Sequence, residues 1–180
     1  MWHPMRPGPY GERLNDLIRD HLQGKTNLIG VEIGSYAGES TSVFVNSGVF
    51  KKLYCVDPWE MNYDPSDWAG DAGIADAEAE FDRKFQNTPV VTKVKMKSHD
   101  ASKMIKDGSL DFIYIDACHQ YDAVMQDLAD WVPKVKPGGI LAGHDYNCPG
   151  ITGVQKAVDE FFGHKPLNVY WEWSWVNIKE

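Results

Sequence analysis

The chain has 180 residues, 43% of them hydrophobic and 12% aromatic, a length that fits one domain built on a single core, spanning 1–180. Lys and Arg total 18 against 26 Asp and Glu, and the formal net charge of -8 repels phosphate backbones and anionic lipid surfaces, so neither nucleic acid nor a membrane is an expected partner. Cys55, Cys118 and Cys148 are odd in number, widely spaced and without a CxxC pair, which argues against a disulfide scaffold or structural zinc site and fits a reducing, cytoplasmic compartment. The start of the chain lacks the apolar region of a signal peptide, and no stretch approaches the roughly 18 apolar residues of a membrane span.

Apolar runs alternate with segments of helical period, the pattern of a parallel sheet flanked by helices, and this predicts an α/β sandwich. Leu14, Leu17, Ile18 and Leu22 lie at helical spacing before Gly24, so the stretch 1–26 reads as an N-terminal helix or lid segment. Residues 28–33 form the first predicted strand, Ser40 and Thr41 open a short helix that Gly48 ends, and 53–56 form the second strand. The stretch 58–73, with Trp59, Tyr63 and Trp68 but no steady period, is predicted as a long loop and as substrate cover. A helical stripe follows at Ile74, Ala77, Phe81 and Phe85. The alternating run 90–96 suits an edge strand with Lys93, Lys95 and Lys97 on a solvated face. Residues 110–115 are the fourth strand. Val124, Leu128, Trp131, Val132 and Val135 mark the next helix, which Pro137-Gly138-Gly139 ends before a short strand at 140–142. A helix over 154–162 and two strands within 169–178 close the chain. Trp171, Trp173 and Trp175 alternate there as packing and edge cover, and the hairpin offers an edge to a second copy, a homo-oligomer.

In a doubly wound sheet, ligands bind beyond the carboxyl ends of the strands. The first strand runs out through Glu32 into Gly34-Ser35-Tyr36-Ala37-Gly38-Glu39-Ser40, where glycines let the backbone approach a ligand and hydroxyls stand at a helix start; a plain tight turn is the other reading. About twenty residues on, the second strand ends in Asp57, an acid that can accept ribose hydroxyls or cap the Pro58 turn. Glycine turn and acid together point to a nucleoside, and the absence of GxGxxG disfavours a nicotinamide-dependent oxidoreductase.

A second constellation arises where Asp116-Ala117-Cys118-His119 and Gly143-His144-Asp145-Tyr146 end neighbouring strands. Asp116 and Asp145 offer oxygen ligands to a divalent ion, and His119 is a base suited to neutral pH. Asp116 can equally hold a ligand amine or cap the helix, and Cys118 reads as filler or pocket wall.

These residues resemble the class I S-adenosylmethionine-dependent methyltransferases, and within them a small-molecule O-methyltransferase branch, like methyltransferase domain family 24, that contains metal-dependent sugar, macrolide and catechol-type enzymes. The likeness rests on the run Val31 through Ser40, on Val56-Asp57-Pro58-Trp59, on Asp111 through Asp116 with His119-Gln120-Tyr121, and on Pro137-Gly138-Gly139 through Tyr146. It implies a Rossmann-like three-layer sandwich with a seven-stranded, mostly parallel sheet and an antiparallel C-terminal hairpin strand. It also implies that S-adenosylmethionine is held by Glu32 at its methionine amine, by Gly34, Ser35, Tyr36, Gly38 and Ser40, by Asp57 at the ribose, by Trp59, by Ser98 and His99 beside the adenine, and by Asp116. Asp116, His144 and Asp145 then hold a divalent cation, magnesium or manganese, and His119 takes the proton of a small-molecule acceptor hydroxyl. Many relatives carry a carboxylate or amide where this chain has His144, which is then a ligand for a softer ion, a second base, or the mark of a site without metal. With little chain before residue 28 to lid the pocket, a partner subunit is expected to close it. A non-catalytic cofactor-binding accessory subunit and a Rossmann-like oxidoreductase are the competing classes.

Overall fold

Alternation along the strands decides the architecture, because successive side chains leave a strand on opposite faces and here both faces are apolar. Strand β1 (Leu28–Ile33) runs parallel to β2 (Phe50–Asp57) on one side and to β4 (Leu110–Ile115) on the other. Val31, Ile33, Ile113 and Ile115 face one layer of helices, while Leu53, Cys55, Phe112 and Tyr114 face the other. The computed structural model describes residues 14–61, 68–170 and 173–180, with the backbone alone for 68–72.

With β3 (Val91–Lys95), β5 (Val135–Gly143), β6 (Asn168–Val169) and β7 (Trp175–Ile178), the sheet has seven strands in the order β3-β2-β1-β4-β5-β7-β6. The first five are parallel and β7 runs antiparallel to both β5 and β6. Helices α1 (Leu14–His21), α2 (Glu39–Asn46) and α3 (Trp68–Phe85) cover one face through Leu14, Leu17, Phe44, Ala77 and Phe81. Helices α4 (Ser98–Ser102), α5 (Tyr121–Trp131) and α6 (Thr152–Phe162) cover the other through Ala101, Val124, Leu128, Trp131, Val154 and Val158. Chain direction across the sheet reverses between β1 and β4, so the strand ends on either side of that boundary open the crevice in which this topology places its ligands.

Several boundaries differ from the sequence reading. The predicted loop over 58–73 gives way at Trp68 to α3; residues 62–67 lie outside the described residues. Gly73 lies within α3 rather than in a loop, facing the Tyr36 hydroxyl, from which a Cβ would stand 2.6 Å away. Val135 belongs to β5 rather than to the preceding helix. Helix α5 stops at Trp131, Pro133 sits in a 3-10 turn, and β5 starts opposite Leu110 with a register irregularity before Phe112. Lys93 and Lys95 lie on the edge strand, but α3 covers part of that face: Lys93 pairs with Glu78 and Asp82, and Lys95 with Glu78, while Lys97 falls beyond the end of β3, just before α4, and pairs with Glu60. Trp175 lies on β7 and is buried, whereas Trp173 sits in the turn before it at φ 68°, so the predicted alternation along one strand does not hold; Trp171 lies outside the described residues.

Candidate active site

The carboxyl end of β1 is built around a buried carboxyl group. Glu32 is fully buried and accepts hydrogen bonds from Ser35 Oγ at 2.8 Å and from the hydroxyls of Ser40 and Thr41 in the first turns of α2. Burial pushes its carboxyl up to about 7 against the pull of those hydroxyls, and the charge of Asp116 adds to the rise. Next to it Gly34 turns at φ 89°, and a Cβ there would stand 2.0 Å from the Asp116 carbonyl oxygen. The bare Cα therefore lets the exits of β1 and β4 pass each other. Gly38, at φ 82°, opens α2 beneath the Phe85 ring, which a Cβ would meet at 2.4 Å.

Asp57 ends β2 and joins two loops. Its carboxylate accepts the Tyr36 N–H at 2.9 Å and the Trp59 N–H at 2.7 Å, and the Trp59 indole donates to the Tyr36 carbonyl at 2.9 Å. Tyr36 and Trp59 both hold positive φ, 44° and 45°, a backbone strain that these bonds sustain. The capping role of Asp57 is thus realised, and each carboxylate oxygen keeps a second lone pair for a ligand hydroxyl. Burial raises the Asp57 carboxyl and the two backbone N–H donors oppose that rise.

At the ends of β4 and β5 a second group converges. His119 Nε2 lies 2.8 Å from Asp145 Oδ2, and His144 Nδ1 lies 3.2 Å from the same oxygen and 3.6 Å from Asp116 Oδ1. Burial works to raise the Asp145 carboxyl, but the hydrogen bonds and charges of His119 and His144 outweigh it and hold the group well below the usual carboxylate range. Asp145 itself sits at φ 60°. Cys118, Val124, Val154 and Trp175 complete the wall of this cleft.

The structure thus gathers Glu32, Gly34, Ser35, Tyr36, Gly38, Ser40 and Asp57 at one half of the crevice and Asp116, His119, His144 and Asp145 at the other. Three predicted residues turn their side chains elsewhere. The Trp59 ring is buried against Phe81, at 5.2 Å between centroids, with Lys93 Nζ 4.7 Å over it. Ser98 Oγ donates to Asp127 and accepts the Trp131 indole N–H at 2.8 Å, while His99 Nδ1 contacts Asp130 at 2.8 Å, so both side chains engage α5. Two residues escaped the sequence reading. Gly153 in α6 lies against the His119 loop, where a Cβ would stand 2.4 Å from the His119 carbonyl oxygen. Trp175 lines the cleft with an indole N–H that has no partner among the described residues. Helical spacing hid the first, and an aromatic-rich hairpin hid the second.

Fold and crevice define a Rossmann-like α/β protein of the S-adenosylmethionine-dependent methyltransferase class. The chain belongs to the methyltransferase domain family, whose model matches residues 31–146 and so spans the strands and loops that carry both halves of the crevice. Among solved structures it is similar to precorrin 8w decarboxylase of Methanobacterium thermoautotrophicum, at 18% identity and a TM-score of 0.59 over 89% of this chain and 77% of that one. It is also similar to geranyl diphosphate C-methyltransferase of Streptomyces coelicolor, at 14% identity and a TM-score of 0.51 over 72% and 42% of the two chains. At such identities the likeness is one of fold. A curated relative, the protein y4gI of Sinorhizobium fredii, is 24% identical over 145 residues, which are 78% of this chain and 15% of that protein. The chain therefore spans about 15% of the length of the curated relative it matches. Among the described residues no helix is long and apolar enough to cross a membrane.

Proposed function

We propose that this domain transfers the methyl group of S-adenosylmethionine to a hydroxyl of a small molecule, with His119 as the base and a divalent cation at Asp116, His144 and Asp145. The observation that carries the reading is the His119–Asp145 pair, 2.8 Å apart, standing where the β4 and β5 ends face the glycine-and-acid edge of β1 and β2.

The residues suit both groups. Asp57 has lone pairs for two ribose hydroxyls, and Glu32, a buried carboxyl whose ionisation has no cationic partner among the described residues, suits an amino-acid ammonium. Two carboxylates and an imidazole, each offering one ligand atom within 4.8 Å of the others, form a donor set for a divalent ion. Bound there, S-adenosylmethionine would supply the methyl group on an electrophilic sulfonium, and the cation a charge beside the acceptor oxygen. His119 donates its Nε2–H to Asp145, which puts the basic lone pair of the neutral ring on Nδ1. Nδ1 takes the acceptor's proton, and the Asp145 carboxylate stabilises the imidazolium that results. Gly34 and Asp57 fix the two loops against which the cofactor is oriented, and positioning supplies the larger share of the rate.

His119→Ala is expected to lower turnover on a hydroxyl acceptor found by screening by roughly 100- to 10,000-fold while leaving S-adenosylhomocysteine affinity within about twofold. Equal losses in both would remove His119 from the base role. Cofactor bound tightly with no transfer to any hydroxyl would instead identify an accessory subunit.

A further inference from the structure

Three groups converge on the cleft at the β4 and β5 ends, and one of them is an imidazole. The side chains of Asp116, His144 and Asp145 are 15%, 6% and 9% exposed, so an ion held among them would exchange much of its hydration for these ligands. Magnesium accepts that exchange reluctantly, because it keeps several waters and demands oxygen ligands at short, nearly ideal octahedral distances. Imidazole nitrogen is a good ligand for the later first-row ions, whose affinity rises from manganese through cobalt toward copper. A second observation points to a ligand at the same place. Trp175 is 1% exposed and lines this cleft, and its indole N–H lacks an acceptor among the described residues, so the cleft wall has a donor to offer to an oxygen that the chain does not provide.

We propose that His144 makes this cleft selective for ions that take imidazole, of which cobalt(II) is the probe, over magnesium. The inference rests on the proposed function in placing an ion at Asp116, His144 and Asp145, and it adds which chemical class of ion the site takes. His144 is the residue that sets the choice. Its backbone N–H is tied to the Ile115 carbonyl at 3.0 Å, so the strand pairing that continues β5 beside β4 delivers Nδ1 to the two carboxylates. A carboxylate at position 144 would turn the set into three oxygens, which magnesium accepts.

The test is calorimetric titration of the full chain, freed of metal with a chelator, with cobalt(II) and separately with magnesium, alongside the visible absorption of the cobalt form. One cobalt(II) per chain is expected, with a Kd below that of magnesium by a factor on the order of 100. His144→Asp is expected to shrink that ratio by about tenfold or more, through weaker cobalt and stronger magnesium binding, and to change the cobalt spectrum. Where His144→Asp fails to give the wild-type far-ultraviolet circular dichroism, His144→Asn supplies the oxygen ligand instead and the same narrowing is expected. Comparable affinities for the two ions in the wild type, a ratio unmoved by the substitution, or no cobalt binding by a chain that binds S-adenosylhomocysteine would each overturn the proposal. Titration with S-adenosylhomocysteine in the same preparation keeps the two readings apart. Its failure to bind counts against the methyltransferase reading, while the ion ratio is read independently.

Discussion

At the ends of β1 and β2 the acids are met by donors that the chain supplies nearby, Glu32 by Ser35, Ser40 and Thr41, and Asp57 by Trp59 and by Tyr36 of the adjoining loop. At the ends of β4 and β5 the acids meet histidines, and the partners arrive from separate strands: Asp145 follows β5 while His119 follows β4. The first half of the crevice is therefore largely self-satisfied, with its polar groups committed to loop geometry before any ligand arrives. The second half keeps two carboxylates and two imidazoles in contact with one another in a partly buried cleft. Under the proposed function, stability and orientation belong to one half and reactivity to the other.

Breaking the boundary between the halves should have the largest effect on the fold. Gly34→Ala puts a Cβ 2.0 Å from the Asp116 carbonyl oxygen at a backbone φ of 89°, so a loss of about 3 kcal/mol in urea unfolding is expected. A variant as stable as the wild type would mean that the two strand exits are not in contact. Next, Asp57→Ala is expected to weaken S-adenosylhomocysteine binding by about tenfold or more, a loss of roughly 1.4 kcal/mol, while turnover at saturating cofactor changes less. Unaltered affinity would leave Asp57 as a loop cap alone.

The half at the β4 and β5 ends should respond to a change that touches neither the proposed base nor the proposed ion ligands. Gly153→Ala pushes a methyl group toward the His119 carbonyl oxygen, and a loss of about tenfold in turnover is expected with cofactor affinity unchanged. Steady-state kinetics beside a binding isotherm would show the split, and a matching fall in affinity would mean that the disturbance spreads through both halves. The smallest effect is a slope. Burial holds the Glu32 carboxyl up to about 7 in the folded chain, against 4.5 as its ordinary value. The folded state then binds more protons than the unfolded state between those limits, and stability falls as pH rises across them. Unfolding measured at pH 5 and pH 8 should show the wild type losing stability relative to Glu32→Gln as pH rises; parallel pH profiles would place Glu32 at an ordinary pKa.

The comparison also separates what the sequence discloses from what it conceals. Strands β1 and β4 are legible to the residue because each is a continuous apolar run closed by a polar turn. The start of β5 is concealed, since Val135 fits the helical stripe of Val124, Leu128 and Trp131 as well as it fits a strand. The glycine-and-acid edge is legible because its parts are local in sequence. The acid and histidine group is legible only as a convergence that the sheet order must supply, and the order β1-β4-β5 does supply it. Side-chain destinations are the least legible. Ser98 and Trp59 sit at the expected strand ends, but Asp127 with Trp131 claims the one and Phe81 with Lys93 the other. Gly153 and Trp175 acquire their meaning from partners more than 30 residues away, His119 for one and the exit of β4 for the other, and no local pattern announces them.

The division of labour between the two halves is tested most directly by calorimetric titration of S-adenosylhomocysteine into the wild type, Asp57→Ala and His119→Ala in parallel. One ligand per chain is expected, with an affinity lowered about tenfold or more by the change at Asp57 and within about twofold of wild type for the change at His119. No binding to the wild type, or equal weakening by both substitutions, would contradict that division.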